Sequence, residues 1–194
     1  MAFLIYSFAL VLPSVLALSS NTEPNCEELI KPLVLDGNYS SIMGKWILAG
    51  GVSEGIVGMI IQTMDTHWME LSPGTNNETI LVRQAFSIDK ICRFETMELP
   101  LTKNTVSESD SGTVQFYLLP SCSNCLTGFY SHQDRYYSSR VLLLFSRERK
   151  ASKEAKDLYQ KQAECLGFPK MLIFYNDVTE LCQKDTNETT AEQN

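Results

Sequence analysis

Between Trp46 and Ser146 the chain alternates apolar runs with turn-forming residues about every 8–14 positions, and this rhythm limits its possible folds more than any other feature. The runs are Trp46–Gly50, Gly58–Leu71, Thr79–Ile88, Ile91–Leu99, Asn104–Glu108, Thr113–Leu119, Leu126–His132 and Arg140–Phe145. The breaks between them hold Ser72-Pro73-Gly74, Pro100, Ser109-Asp110-Ser111-Gly112 and Pro120 to Asn124, residues whose backbone preferences interrupt a strand. Within the third run Ile80, Val82, Gln84 and Phe86 alternate with Leu81, Arg83 and Ala85, the period of a half-buried strand. The pattern predicts about eight strands in an all-β sandwich or barrel, and hydrophobicity alone does not separate the two.

The period then changes. Ala151 to Leu166 places Ala155, Leu158, Tyr159, Gln162 and Leu166 at helical spacing, with Lys153, Glu154, Lys156, Asp157 and Lys161 mostly opposite. Gly167 and Pro169 stop this helix, and Met171–Tyr175 reads as a short final strand. Residues 21–43 are read as irregular, with a short helical turn near Ser41, and 183–194 as a polar, disordered tail. No internal repeat is visible.

The first twenty residues carry no charged side chain and are almost wholly apolar from Ala2 to Leu18. They predict a signal peptide over residues 1–19, cleaved between Ala17 and Ser20, ahead of one domain over 20–182. No other stretch approaches the ~20 apolar residues of a membrane span. The sequons at Asn38, Asn77 and Asn187 and an even set of cysteines, Cys26, Cys92, Cys122, Cys125, Cys165 and Cys182, fit a secreted, disulfide-bonded glycoprotein. Six cysteines allow fifteen pairings from sequence alone. A net charge of −7 argues against nucleic acid and anionic membrane surfaces as partners.

Chemistry-bearing motifs are sparse. Gly51-Val52-Ser53-Glu54-Gly55 matches a nucleophile elbow, which needs a βα-alternating chain with an acid and a His downstream. A glycine-rich first loop at a barrel mouth explains it better. His67 and His132 have no metal-ligand spacing and are read as wall or surface residues. Cys122-Ser123-Asn124-Cys125 lies between two strands, so a disulfide stapling the turn is preferred to a redox pair or a zinc site. The expectation is therefore no catalytic residue, no metal and no cofactor.

Gly44-Lys45-Trp46 before the first strand resembles the G-x-W signature of the lipocalins, and Arg147 after the last strand resembles the arginine that covers that indole. Ile42-Met43-Gly44-Lys45-Trp46, Thr79-Ile80-Leu81-Val82-Arg83 leading to Cys92, and Cys165-Leu166-Gly167-Phe168-Pro169-Lys170 are similar to the orosomucoid (alpha-1-acid glycoprotein) group, with similarity from about residue 26 to 182. The drift from the mammalian pattern resembles fish members of the group, the saxitoxin-, tetrodotoxin- and tributyltin-binding proteins. The resemblance implies an eight-stranded up-and-down antiparallel lipocalin barrel with one C-terminal α-helix packed outside. It implies disulfides Cys26–Cys165 and Cys92–Cys182, leaving Cys122 and Cys125 as the departure from the group.

The resemblance also implies a monomeric carrier of a small apolar or cationic molecule, or alternatively an acute-phase immunomodulatory glycoprotein acting through protein partners. Projected position by position, it gives an inward set of Leu48, Met69, Leu71, Val82, Gln84, Phe86, Phe116, Leu118, Thr127, Phe129, Leu143 and Phe145. It also places Glu108 where the group carries a basic residue, and a carboxylate in a partly dry cup favours a cation.

Overall fold

The computed structural model of the chain describes residues 25–35, 39–76, 78–100, 105–109, 112–170, 172–175 and 178–183. The expected leader, the sequon residues Asn38, Asn77 and Asn187, and the tail beyond Gln183 lie outside the described residues.

The strands are β1 (Gly44–Glu54), β2 (Met64–Pro73), β3 (Thr79–Ile88), β4 (Ile91–Pro100), β5 (Thr105–Ser109), β6 (Gly112–Leu119), β7 (Cys125–Gln133) and β8 (Ser138–Ser146), with a short β9 (Ile173–Phe174). The helices are α1 (Cys26–Leu29), α2 (Ile56–Thr63) and α3 (Lys153–Cys165). The eight long strands run antiparallel in the order β4-β3-β2-β1-β8-β7-β6-β5. Strands adjacent in sequence lie side by side from β1 to β4 and from β5 to β8, and β1 meets β8, as in the up-and-down barrel plan. Among the described residues β4 and β5 are not paired. A two-residue hairpin joins β3 to β4 through Asp89 and Lys90, both at the positive φ (51° and 64°) that such a turn requires.

The sheet has two apolar faces. On one, Val52, Leu119, Phe129, Leu142 and Leu144 pack against Ala155, Tyr159 and Ala163 of α3. Ser152 caps this helix by accepting from the Ala155 amide at 3.1 Å, and the buried Tyr159 hydroxyl donates to the Leu142 carbonyl at 2.8 Å. On the other face, Trp46, Leu48, Leu71, Val82, Leu126 and Phe145 form one cluster with Met97 of β4 and Leu118 of β6. Strands from both ends of the sheet meet in that cluster, so the sheet is curled around it.

Three disulfides hold the periphery. Cys26–Cys165 joins α1 to α3, Cys92–Cys182 ties the C-terminal segment to β4, and Cys122–Cys125 closes the β6–β7 turn. The Trp68 indole donates to the Cys182 carbonyl at 2.7 Å, holding the same C-terminal segment on the outside of β2.

The first connection differs from the sequence reading. Gly58 to Thr63, expected within a long strand, forms α2. Gly51 to Glu54, expected in a loop, continues β1 and pairs with β8. The β-branched residues of Ile56–Ile61 favour strand, but Gly55 at φ 79° turns the chain beforehand. A Cβ at Gly55 would lie 2.2 Å from the Ser138 carbonyl oxygen, so this approach of β1 to β8 needs glycine. Near the N-terminus the helical turn sits at Cys26–Leu29, while residues around Ser41 form a hydrogen-bonded turn.

Candidate functional site

The curled face divides into an end closed over Trp46 and a wall that continues beyond it, where the cup is expected. At the closed end Trp46 is 1% exposed, and its Nε1 donates to the Ile42 carbonyl at 2.7 Å. The Arg147 guanidinium lies over the indole, 3.6 Å from its centroid. It donates to the carbonyls of Lys45 (3.1 Å), Met43 (2.6 Å) and Ser41 (3.4 Å). Gly44 at φ 93° lets the backbone pass beneath this guanidinium: a Cβ there would sit 2.9 Å from Arg147 Nη1. The Arg147 amide donates to Asn124, so the Cys122–Cys125 turn belongs to the same end.

Cross-strand partners share a face, so the register assigns the cup wall. Trp46 faces Met69, Gly44 faces Leu71, and these face Gln84 and Val82 on β3. His67 faces Phe86. On the other side Leu48 pairs with Phe145, and Leu143 with Gly128 and through it Leu118. A side chain built at Gly128 would meet Phe116 at 3.7 Å, which places Phe116 on the same wall. Ile61 of α2 approaches this wall at its open end: a Cβ at Gly51 would meet Ile61 and Leu143, each at 3.3 Å.

Leu48, Met69, Leu71, Val82, Gln84, Phe86, Phe116, Leu118, Leu143 and Phe145 therefore share the inner wall. Thr127 and Phe129 do not. Phe129 stacks on Tyr117 with centroids 4.8 Å apart and meets Phe168 beside α3. Thr127 is buried on that outer side, where its amide and hydroxyl bond Ser121 at 2.9 Å. The residues of β7 that point inward are Leu126, Gly128 and Tyr130. The projected family pattern placed Thr127 and Phe129 inward, and the strand itself did not correct it, because α3 makes the outer face of β7 apolar too and Gly128 leaves the inner face without a hydrophobic signal there. Glu108 pairs with Thr113, out of phase with Phe116 and Leu118, so the backbone register does not continue the inner wall at Glu108; its side chain lies outside the described residues.

The polar chemistry of the cup lies on the opposite wall. The His67 ring is buried between Phe86 and Phe145, edge-on to both at centroid distances of 6.3 and 5.5 Å. Its Nε2 lies 3.1 Å from Gln84 Oε1, and Gln84 Nε2 donates to Glu95 Oε2 at 2.8 Å. A carboxylate accepts only, so the Gln84 amide is oriented nitrogen to Glu95 and oxygen to His67. His67 then donates from Nε2, and in its neutral form Nδ1 is an acceptor. Burial holds the imidazole below its ordinary pKa, with the Gln84 bond and the Glu95 charge acting against that shift. Glu95 itself is exposed on β4. Its register partner is Gln84, which puts it on the inner-wall side together with Arg93, Met97 and Leu99.

The sequence reading missed Glu95 because β4 shows no clean alternation: Arg93, Glu95 and Met97 sit on the same side as Leu99. His67 offered no spacing signal. Gln84 stood out as a polar residue inside an otherwise apolar alternation, and it is the link that joins the other two.

A separate surface groove of about 650 Å³ runs between α1 and α3, lined by Glu28, Leu29, Lys153, Asp157, Leu158 and Lys161 among others. It lies outside the barrel. Among the described residues no group of three or more metal-ligating side chains occurs, and no helix is long and apolar enough to cross a membrane.

No protein-family model matches the chain. Saxitoxin and tetrodotoxin-binding proteins 2 and 1 of Takifugu pardalis are each 27% identical over 202 residues, covering 92% of this chain and 50% of theirs. The chain thus spans about half the length of the curated relatives it matches. Among solved structures, a siderocalin with a dual ligand binding mode superposes with a TM-score of 0.61 at 18% identity, covering 78% of this chain and 99% of that one. A dog lipocalin allergen gives 0.57 at 16% identity, over 73% of this chain and 97% of that one. The chain has the lipocalin fold.

Proposed function

We propose that this chain is a secreted, glycosylated carrier of the orosomucoid group that holds a small hydrophobic or cationic molecule in the cup, without covalent chemistry. The observation that carries this reading is the make-up of the curled face. Apolar residues from β1, β2, β3, β6 and β8 surround one polar chain, His67–Gln84–Glu95. Mostly apolar pockets with a few placed polar groups are what small-ligand sites require. The toxin-binding names of the Takifugu proteins point the same way. In this reading Leu48, Met69, Leu71, Val82, Gln84, Phe86, Phe116, Leu118, Leu143 and Phe145 supply the wall, with Thr127 and Phe129 outside it.

Intrinsic fluorescence tests the proposal. Trp46 lies on the cup side at the closed end, while Trp68 is engaged on the outside with Cys182. Titration of the mature protein with a panel of apolar and amphiphilic cations is expected to give saturable quenching. Trp68→Phe should retain that response. A flat titration across the panel, alongside binding to cells or proteins, would replace the carrier with the immunomodulatory reading.

A further inference from the structure

The geometry points to a thiol–disulfide exchange site: we infer that Cys122–Cys125 opens and closes with low-molecular-weight thiols while the barrel stays folded, Cys122 exchanging and Cys125 resolving. The inference stands apart from the carrier reading.

Exposure alone does not single out this pair, since Cys26 and Cys92 are exposed as well. What singles it out is how much structure survives its opening. The Cys125 amide donates to the Cys122 carbonyl at 3.0 Å, which closes the turn through the backbone. The Arg147 amide donates to the Asn124 carbonyl at 3.0 Å. Ser121 Oγ accepts from the Thr127 amide at 2.9 Å, and the β6–β7 ladder runs up to Leu119 and Thr127. On the other side Cys125 pairs with Ser146 of β8. None of these bonds involves sulfur. The two cysteines, with Cα atoms 4.9 Å apart, are therefore held side by side whether or not the S–S bond is made.

The other two bridges differ. They join residues 139 and 90 apart in sequence, against 3 here. A disulfide restrains the unfolded chain more as its loop grows, so this pair contributes least to the fold. Cys26–Cys165 holds α1, which has no buried residue, and Cys92–Cys182 holds the C-terminal segment. Opening either of those releases a segment, and opening Cys122–Cys125 releases none.

The two sulfurs have different surroundings. Cys122 is partly exposed and is followed by the exposed Ser123 and Asn124. Cys125 is 8% exposed and packs in the cluster against α3. An incoming thiolate therefore reaches Cys122. The thiolate of a glutathione attacks Cys122 Sγ, the S–S bond breaks as a mixed disulfide forms, and Cys125 leaves as a thiolate that takes a proton from water. A second glutathione thiolate attacks the glutathione sulfur of that mixed disulfide, releasing oxidised glutathione and the Cys122 thiol. Two electrons pass from two thiols to the pair. In reverse, Cys122 attacks oxidised glutathione and the adjacent Cys125 resolves the mixed disulfide. The pair stands at the head of β7 and not of a helix, so it lacks the helix-terminus charge that activates a thioredoxin-type dithiol.

The mature, disulfide-intact protein would be equilibrated in mixtures of reduced and oxidised glutathione, quenched with an alkylating agent and mapped by peptide mass spectrometry. The expected species carries two alkylated cysteines, Cys122 and Cys125, with an unchanged near-ultraviolet circular dichroism spectrum, and it reverts on return to oxidised glutathione. Cys125→Ser, given oxidised glutathione, should hold a mixed disulfide at Cys122. Cys122→Ser should form one at Cys125 about tenfold more slowly, because that sulfur is buried. Absence of a two-thiol species, a pair of alkylated cysteines elsewhere, or reduction only together with loss of the near-ultraviolet signal would overturn the inference. So would equal rates of adduct formation in the two variants, or failure of either variant to fold, since the turn would then need its disulfide.

Discussion

The closed end and the cup use polar groups in opposite ways. At the closed end Arg147 donates to three carbonyls and covers an indole. Those bonds and the ring contact hold the guanidinium on the protein's own atoms and cover one end of the barrel. In the cup, the chain from His67 through Gln84 runs outward and ends on a carboxylate that the protein satisfies only in part. A polar cluster closed on the protein's own carbonyls stabilises a fold; a polar chain that runs along an apolar wall to solvent stays open to other donors.

The largest effect should come from the closed end. Trp46→Ala removes a fully buried indole and leaves Arg147 facing a cavity, and is expected to cost about 3–5 kcal/mol in chemical denaturation. Arg147→Lys keeps a charge but loses the planar fork that reaches several carbonyls and the stacking on the ring, for an expected loss of about 1–2 kcal/mol. If Arg147→Lys proved neutral, the closed end would not be the saturated cluster described.

Gln84→Leu should separate the two regions. It cuts the link between His67 and Glu95 at a side chain of intermediate burial, so stability should fall by only about 1 kcal/mol. Selectivity for a cation should fall much more. A large stability loss with unchanged ligand selectivity would reassign the His67–Gln84–Glu95 chain to structure.

The smallest effect is a pH dependence. His67 is held below its ordinary pKa of 6.5. The unfolded chain therefore binds a proton more readily than the folded one, and stability rises with pH in this range. The contribution is fully present above about 6.5 and is lost as pH falls toward the lower folded value, by at most ~1.4 kcal/mol per pH unit. The charged neighbours are Glu95, which opposes the shift, and Asp65 and Arg149, which line a small void beside His67. Denaturation midpoints at pH 7.5 and 5.5 should differ more for the unaltered protein than for His67→Phe. Identical slopes would place the acid sensitivity elsewhere.

Much of the scaffold was legible in the sequence because it is written in strong local signals. Pro73-Gly74, Pro100 and the polar turn after Leu119 bound strands that form where expected, and Gly167 ends α3 where expected. The cup was harder to read, for identifiable reasons. On β7 both faces carry apolar residues, so the alternation of Thr127 and Phe129 did not contradict the projected family pattern that set them inward. In α2 a β-branched run is turned into helix by a glycine whose conformation no propensity scale registers. Glu95 is meaningful only because β3 and β4 pair in the register that sets it beside Gln84, a long-range fact that the composition of β4 conceals.

The two long disulfides have a further consequence. Cys26–Cys165 and Cys92–Cys182 are staggered: the first loop opens before the second and closes inside it, and the second opens inside the first and closes beyond it. Every peptide bond from residue 26 to 182 is spanned by at least one of them. The folded domain is thus a covalent circuit that no single cut can divide. A protease that nicks an exposed loop would leave one particle on a non-reducing gel and two fragments after reduction. Wounded once, the domain would still keep both halves of its barrel together.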